Sequence, residues 1–298
     1  MQHTRPAIGI VGLGLMGSAL ARRLIGAGFA VFGYDLEPSK CAVLRDIGGS
    51  PAASLADLGA ACDRVLLAVF DTRQVEEVLE RPDGLLPAGP RENGPRIVIT
   101  TSTCDPVRIS ALGERLGERE VALLECPISG TSDQVAKGDG VGLLAGDEGR
   151  IAEIDDILDA ICRRRYFMGP LGNGNRTKLA VNLILGLNRT ALAEGLVFAE
   201  RLGLPLDAFL DVARGSAAYS LVMDVKGDKM VAGDFAPHGK IAQSRKDFSL
   251  ILGMALQAGQ RLPLASVYAE LMQGCIEHGE GEWDNAAVIE EIRRRRER

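Results

Sequence analysis

Three closely spaced glycines between two apolar segments constrain the fold of this chain more than any other feature. Gly12, Gly14 and Gly17 follow the apolar run 7–11 and open the helix-like segment SALARRLIGAG, after which a second apolar run begins. In such a strand–turn–helix unit the first glycine forms the tight turn and the second lets the backbone approach a pyrophosphate. The third lets helix and strand pack closely. The order of these elements predicts a dinucleotide-binding turn. A glycine turn that binds no ligand is the alternative.

An acidic residue after the second apolar run indicates which dinucleotide would bind. Asp35 lies 18 positions after Gly17, where a carboxylate meets the ribose hydroxyls of adenosine. Its charge accepts hydrogen bonds from a 2′-hydroxyl and repels a 2′-phosphate, and no arginine follows it closely. We therefore expect NAD rather than NADP as the cofactor.

Alternating segments in the first half of the chain predict the fold class. Short runs rich in Val and Ile lie at 7–11, 30–34, 64–69, 96–100 and 121–125, with further strand candidates at 140–146 and 164–169. Helix-like segments separate most of them, which is typical of parallel βαβ units with helices on both faces of a sheet. We predict an α/β fold: a Rossmann-like, doubly wound parallel sheet domain over 1–170.

The second half shows apolar residues at helical spacings of three and four, and no strand signals. We predict an all-helical substrate and oligomerisation domain over 171–298. Its long first helix, from about 176 to 200, is too apolar for a free surface. We therefore expect a homodimer or homotetramer.

Composition argues against several classes of protein. The chain of 298 residues has 34 Lys and Arg against 40 Asp and Glu, a net charge of −6, so a broad nucleic-acid-binding surface is not expected. The terminal RRRRER is interpreted as a solvated helix end. No run approaches about 20 uninterrupted apolar residues, so we expect no membrane partner. Six scattered cysteines without a CxxC pair, and three histidines, suggest reduced thiols in a cytoplasmic protein and no metal site.

The segment GNGNRTKLAVN places Lys178 and Asn182 four residues apart, which puts both on one face of a helix. A buried lysine without a partner is costly, so this one requires an explanation. It either serves chemistry or is a structural lysine, with its amine reaching solvent or paired with an acid at the domain interface. The spacing by itself leaves these alternatives equal.

Four motifs resemble those of the β-hydroxyacid dehydrogenase family, which includes 3-hydroxyisobutyrate dehydrogenase and tartronate semialdehyde reductase. They are GLGLMGSALARRL, TSTCDP at 101–106, ECPISGT at 125–131 against D-A-P-x-S-G-G, and GNGNRTKLAVN at 172–182 against G-x-G-x-x-x-K-x-x-N-N. A shorter match is Lys246-Asp247-Phe248 against K-D-L. The resemblance covers nearly the whole chain and implies hydride transfer between a nicotinamide cofactor and a small β-hydroxy acid in a cleft between two domains.

The resemblance also implies roles for individual residues. Lys178 would act as general acid and base, and Asn182 would orient the reacting oxygen or the lysine. The substrate contacts implied are Ser129, Gly130, Thr131, Lys246 and His238. The cofactor contacts implied are Gly12, Leu13, Gly14, Leu15, Met16, Gly17, Asp35, Val69, Phe70, Gln74, Thr103 and Lys246. Four of these have a structural alternative: a turn serine at 129, a core phenylalanine at 70, a surface lysine at 246 and a loop histidine at 238.

Several positions depart from the family pattern. Thr131 replaces a glycine, Glu125-Cys126 replaces Asp-Ala, and His238-Gly239 replaces a Gly-aromatic pair. Thr131 and His238 favour a substrate with a polar arm and a carboxylate. The resemblance makes ECPISGT at 125–131 the substrate loop. The hydroxyl is expected on the β-carbon, because this loop and Lys178 are assigned to different domains. Two rivals are an imine reductase, which usually carries aspartate or tyrosine at the lysine position, and a non-catalytic NAD-binding module.

Overall fold

A computed structural model describes residues 5–86 and 94–295 of the chain. The chain divides into two compact units, Met1–Lys178 and Leu179–Arg298. The division falls inside the helix that carries Lys178, whereas the sequence places a boundary at 170/171, just before that helix.

The first unit contains a six-stranded parallel sheet with strand order β3-β2-β1-β4-β5-β6. This is the order of the doubly wound dinucleotide-binding fold, so the predicted fold class is confirmed. Its strands are β1 (Arg5–Val11), β2 (Phe29–Tyr34), β3 (Ser50–Pro51), β4 (Arg64–Leu67), β5 (Ile97–Thr100) and β6 (Ala122–Glu125). The helices between them are α1 (Leu15–Gly26), α2 (Pro38–Asp46), α3 (Leu55–Ala61), α4 (Thr72–Glu80) and α5 (Pro106–Gly117).

Both faces of this sheet are buried, which explains why its strands are continuous apolar runs. Ile8 and Ile10 of β1 pack into one hydrophobic cluster with residues of α1, while Val11 packs into another with Leu58 of α3. Successive side chains of a strand point to opposite faces, so each strand contributes to both clusters.

The two strands predicted at 140–146 and 164–169 are present, but they belong to a separate small sheet. Its strands are β7 (Ile128–Ser129), β8 (Val141–Leu144) and β9 (Arg164–Phe167). Strand β7 pairs antiparallel with β8, which pairs parallel with β9. The helices of this part are α6 (Ser132–Lys137), α7 (Glu148–Ala152) and α8 (Asp155–Ile161).

The described residues after 170 are helical, as predicted. The helices are α9 (Asn173–Arg201), α10 (Leu206–Arg214), a π-helical turn (Met223–Gly227), α11 (Asp228–Ala232), α12 (Ile241–Gln257), α13 (Pro263–Glu277), a 3-10 turn (Asn285–Ala287) and α14 (Val288–Arg294). Gly186 of α9 allows close packing, because a Cβ there would lie 2.6 Å from the Phe248 ring. That ring lies 4.1 Å, centroid to centroid, from the Tyr268 ring.

Helix α9 combines apolar character with a large exposed surface. It is the one helix among the described residues with the length and hydropathy of a membrane span, and 28% of its most apolar window is buried within the chain. Core helices of soluble proteins meet the same criteria. The exposed side chains include Ile184 and Phe198, at 61% and 67% exposure.

The described part of the basic C-terminal run lies at the end of α14, and its arginines also pair with acids. Arg293 pairs with Glu200 and Glu290, and Arg294 and Arg295 both pair with Glu291. The last three residues of the run lie outside the described part of the chain. All six cysteines are free thiols.

Candidate active site

The glycine turn has the backbone geometry that its sequence predicts. Gly12 has φ +89°, and a Cβ there would lie 2.6 Å from the Ala68 carbonyl oxygen. At Gly17 a Cβ would lie 1.9 Å from the oxygen of Gly12, so only glycine fits. A Cβ at Gly14 would meet nothing within 4 Å, and this residue caps α1 without a side-chain hydrogen bond. The turn therefore has open space beside the helix N-terminus, which suits the pyrophosphate of a dinucleotide.

Asp35 closes this turn from the end of β2. Its Oδ2 accepts a hydrogen bond from the Leu13 N–H at 2.7 Å, and its Oδ1 accepts one from the Glu37 N–H at 2.9 Å. A carboxylate has about four acceptor positions, so Asp35 can hold the turn and still accept from ribose hydroxyls. The neighbouring side chains of the turn differ in exposure: Leu13 is buried and Leu15 is exposed.

The loops after β4 and β5 extend the same edge of the sheet. The Phe70 N–H donates to Gln74 Oε1 at 2.8 Å, and Ser102 Oγ donates to the Val69 carbonyl at 2.7 Å. Phe70 is 42% exposed, which excludes the core alternative for this residue. Thr103 is buried. The carboxyl ends of parallel strands are where open α/β sheets bind ligands. All the proposed cofactor residues except Lys246 follow β1, β2, β4 or β5.

The proposed substrate loop, residues 125–131, contains strand β7 and ends in a helix cap. Ser129 is the last residue of β7, and Gly130 has φ +150°, a conformation that favours glycine. Thr131 forms a capping box at the start of α6: its Oγ1 accepts from the Gln134 N–H, and Gln134 Oε1 accepts from the Thr131 N–H at 2.9 Å. The departure from glycine at 131 therefore has a structural explanation. Its predicted substrate contact stays a prediction.

Lys178 is buried next to the substrate loop. The residue is only 8% exposed, and its Nζ donates a hydrogen bond to the Ile128 carbonyl at 2.8 Å. Ile128 directly precedes Ser129, so the amine and the loop are neighbours within one unit. The boundary predicted at 170/171 assigns the lysine and the loop to different domains, and that assignment stays a prediction. The β-carbon position inferred from that assignment stays a prediction as well.

Asn182 and Lys246 share a partner in the second unit. Asn182 Nδ2 donates to Asp247 Oδ2 at 2.8 Å, and Lys246 Nζ lies 3.1 Å from Asp247 Oδ1. The Lys246 side chain is 15% exposed, and its proposed contacts with cofactor and substrate stay predictions. Asp247, itself buried, thus orients two residues that the motifs single out.

A buried ion pair supports the loop that carries His238. Asp284 Oδ2 accepts from the backbone N–H of His238 at 2.8 Å. Lys226 Nζ donates to Asp284 Oδ1 at 2.6 Å and to Oδ2 at 2.8 Å. Burial lowers the pKa of Lys226 to about 8, and the Asp284 carboxylate acts against that shift. The loop histidine is therefore held through its backbone, and its proposed substrate contact stays a prediction.

The sequence analysis assigned no role to two buried polar residues, Glu125 and Asn175. Glu125, fully buried at the end of β6, accepts from the backbone N–H groups of Gly172 and Asn175 at 2.5 and 3.0 Å, and from Asn175 Nδ2 at 2.6 Å. Burial raises the pKa of the Glu125 carboxyl, while the hydrogen bonds from Asn175 and Gly172 act in the opposite direction. The sequence contained one indication of this contact: an acid opens the motif ECPISGT, and the glycine-rich turn GNGN offers backbone N–H groups that an acid could accept from.

These elements define a class of protein: a Rossmann-fold oxidoreductase that binds a nicotinamide dinucleotide. Residues 7–169 match the NAD binding domain of 6-phosphogluconate dehydrogenase. Residues 172–292 match the NAD-binding domain of NADP-dependent 3-hydroxyisobutyrate dehydrogenase. Among the residues that the structure describes, no group of three or more His, Cys, Asp or Glu side chains could hold a metal ion.

Individual relatives agree with these matches. The chain is 33% identical to L-threonate dehydrogenase of Cupriavidus necator over 95% of this chain and 94% of the relative. It superposes on 3-hydroxyisobutyrate dehydrogenase from Salmonella typhimurium with a TM-score of 0.86 and 29% identity, covering 96% and 99% of the two chains. An imine reductase from Pseudomonas sp. shares the fold at a TM-score of 0.65 and 20% identity over 96% and 99%. The chain belongs to the β-hydroxyacid dehydrogenase family.

Proposed function

We propose that this protein oxidises a hydroxyl group of a small carboxylic acid with NAD, and that Lys178 is the general acid and base. The observation that carries the proposal is the position of Lys178. Its amine is buried and hydrogen-bonded to the Ile128 carbonyl, one residue before the substrate loop. An amine at this position is within reach of a group bound at the loop and can exchange a proton with its hydroxyl.

NAD supplies the hydride acceptor when it is bound. The residues that would hold it are the glycine turn for the pyrophosphate and Asp35 for the ribose hydroxyls. A negative charge at Asp35, with Glu37 two residues further on, opposes a 2′-phosphate. Lys40 Nζ lies 3.7 Å from Asp35 Oδ1 but also pairs with Glu37, so acids outnumber bases at this point. These charges favour NAD over NADP.

The protein's part in the reaction is proton transfer and orientation. In oxidation Lys178 Nζ takes the proton of the substrate hydroxyl, and in reduction it returns that proton. Asn182, held through its Nδ2 by Asp247, would orient the reacting oxygen with its remaining polar groups. Ser129 Oγ and the Gly130 N–H would donate to the substrate carboxylate, because hydrogen bonds to a charged acceptor are strong.

The substrate expected from these groups is a small hydroxy acid with a further polar arm. L-Threonate dehydrogenase is the name of the 33% identical relative, and threonate fits this description. We expect kcat/KM to be higher for L-threonate than for 3-hydroxyisobutyrate. The matching alcohol without a carboxylate should be roughly 100-fold poorer, since it forfeits charge-assisted bonds of about 1.5–3 kcal/mol each. Formation of NADH with each compound measures this.

The outcomes of this comparison separate the parts of the proposal. If the simple alcohol is the best substrate, the assignment to hydroxy acids is wrong. If 3-hydroxyisobutyrate is the best, only the polar arm is wrong. The family resemblance implies that the oxidised hydroxyl is on the β-carbon. Threonate deuterated at its β-carbon should then give deuterated NADH, and transfer from the α-deuterated compound instead would reject that position.

The lysine at position 178 also distinguishes the proposed dehydrogenase from the two alternative functions. An imine reductase usually carries aspartate or tyrosine at this position, so a cyclic imine should be reduced far more slowly than a hydroxy acid is oxidised. A non-catalytic NAD-binding module would bind NAD and turn over nothing in the panel. The free thiols of the chain suit the reducing cytoplasm that we propose as its location.

The exposed apolar side of α9 supports a homo-oligomer of two or four copies. Ile184 and Phe198 are 14 residues apart and therefore lie on nearly one face of the helix. Light scattering should give two or four times the chain mass of 31.7 kDa. Phe198→Glu combined with Ile184→Glu should lower that mass, and Val107→Glu, at another exposed apolar side chain, should not. A monomeric wild-type protein would reject the oligomer.

A further inference from the structure

One segment of the first unit, residues 172–175, directs its N–H groups at a buried carboxylate, that of Glu125. The side chain is fully buried, and four N–H groups donate to its two oxygens. Oε2 accepts from the backbone of Gly172 and Gly174, at 2.5 and 3.2 Å. Oε1 accepts from the backbone and the side chain of Asn175, at 3.0 and 2.6 Å.

Those donors are the first turn of α9 and the residues just before it. The first N–H groups of a helix have no partner within the helix, and a carboxylate placed there also interacts favourably with the helix dipole. Lys178 lies three residues after Asn175, about 4.5 Å further along the helix axis. Fixing the first turn therefore fixes the point from which the lysine side chain starts.

The two glycines of the GNGN turn make this contact possible. Gly172 has φ +96°, and a Cβ there would lie 2.5 Å from Ser110 Oγ. A Cβ at Gly174 would lie 2.8 Å from the Leu143 carbonyl oxygen and 3.0 Å from the Cβ of Glu125. The turn is thus shaped to present its N–H groups to the carboxylate.

Asn175 extends the contact to the turn that contains Thr103. This asparagine is fully buried, and its Oδ1 accepts from the Cys104 N–H at 2.7 Å. Glu125 is also joined in sequence to the substrate loop, three residues before Ile128, whose carbonyl receives the lysine amine. One carboxylate therefore ties together the lysine helix, the substrate loop and the turn of Thr103.

We propose that Glu125 is a positioning residue: its ionised carboxylate, acting with Asn175, sets the placement of Lys178 and of the Thr103 turn. All four partners of the carboxylate are donors, which matches the acceptor-only form of the acid. A glutamine has the same shape but turns an NH₂ group toward donors. The proposal rests on the proposed function only for its turnover measurement.

The turnover test uses Glu125→Gln, Glu125→Asp and Asn175→Ala. With Gln, kcat should fall by about 10–100-fold, because displacement of a reacting group by about 1 Å costs on the order of 100-fold. The Kd for NAD should change by less than about threefold, since the glycine turn is untouched. Glu125→Asp keeps the charge and should recover part of kcat, and Asn175→Ala, which leaves the Glu125 carboxylate in place, should lower kcat as well.

A double variant separates positioning from loss of stability. In a Lys178→Ala background, Glu125→Gln should cost less than about twofold, because residues that act through one another are not additive. An equal loss in both backgrounds would overturn the proposal. Glu291→Gln is the matched control: it removes a buried carboxylate paired with Arg294 and Arg295, and should lower the melting temperature but not kcat.

A measurement without substrate keeps this inference distinct from the proposed function. An amine-reactive ester, followed by peptide mass spectrometry, reports how accessible the Lys178 amine is in the folded protein. We expect at least a threefold faster reaction at Lys178 in Glu125→Gln, with the exposed Lys137 as internal reference. Unchanged labelling in the Gln and Asn175→Ala variants would overturn the positioning role, whatever the substrate. Changed labelling in an enzyme inactive toward every hydroxy acid would support it while rejecting the proposed function.

Discussion

Lys178→Ala should lower kcat by roughly 10²–10⁴-fold, the scale of general acid–base catalysis. This corresponds to about 2.7–5.5 kcal/mol of transition-state stabilisation. NAD binding should be nearly unchanged, because the lysine lies on α9 and beside the substrate loop, not in the glycine turn. Steady-state kinetics with a hydroxy acid, together with calorimetric titration of NAD, separates the two effects.

Two further variants sharpen this prediction. Lys178→Arg should also fail, since a guanidinium does not give up its proton near neutral pH. Lys137→Ala removes a lysine that pairs with Asp133 on the surface and should leave kcat unchanged. If the Lys178→Ala enzyme retains more than about half of the wild-type activity, the catalytic role is wrong and the lysine is structural.

The second large effect is expected at Asp35. Asp35→Ala should raise the Kd for NAD by roughly 10–100-fold, because hydrogen bonds to a charged group contribute about 1.5–3 kcal/mol. The same change should erode the preference for NAD over NADP, since the charge that repels a 2′-phosphate is gone. Calorimetric titration of both dinucleotides measures the two effects together.

Asp35→Asn distinguishes charge from support of the turn. Its side-chain oxygen can still accept from the Leu13 N–H, as Asp35 does, so the turn should keep its shape. We expect NAD to bind this variant better than it binds Asp35→Ala, with a weaker preference over NADP than in wild type. A wild-type protein that binds NADP as tightly as NAD would contradict the role given to Asp35.

The parts of this protein that could be predicted from sequence are local in the chain. Gly12, Gly14 and Gly17 follow a strand and open a helix at fixed spacing, and the turn they form obeys backbone sterics. The alternation of strands and helices in the first half and the run of helices after 170 follow from residue periodicity. By contrast, β3 and β7 have two residues each, which is too short for any periodic signal.

The contacts that organise the candidate site are distant in the chain. Lys178 reaches a carbonyl 50 residues away, and Asn182 reaches Asp247 at a separation of 65. Helical spacing predicts that Lys178 and Asn182 share a face, but it contains no information about what that face meets. The same limit concealed Glu125, whose partners at Gly172 and Asn175 lie 47 and 50 residues further on.

The central claim is that Lys178 assists direct hydride transfer from a carboxylated hydroxy acid to NAD. Its most direct test is mass spectrometry of the nicotinamide formed from NAD and threonate that carries deuterium on its hydroxyl-bearing carbons. The account predicts NADH with one added deuterium from the wild-type enzyme, and at least 100-fold less of it per unit time from Lys178→Ala. NADH without deuterium, or deuterated NADH formed at equal rates by both enzymes, would contradict it.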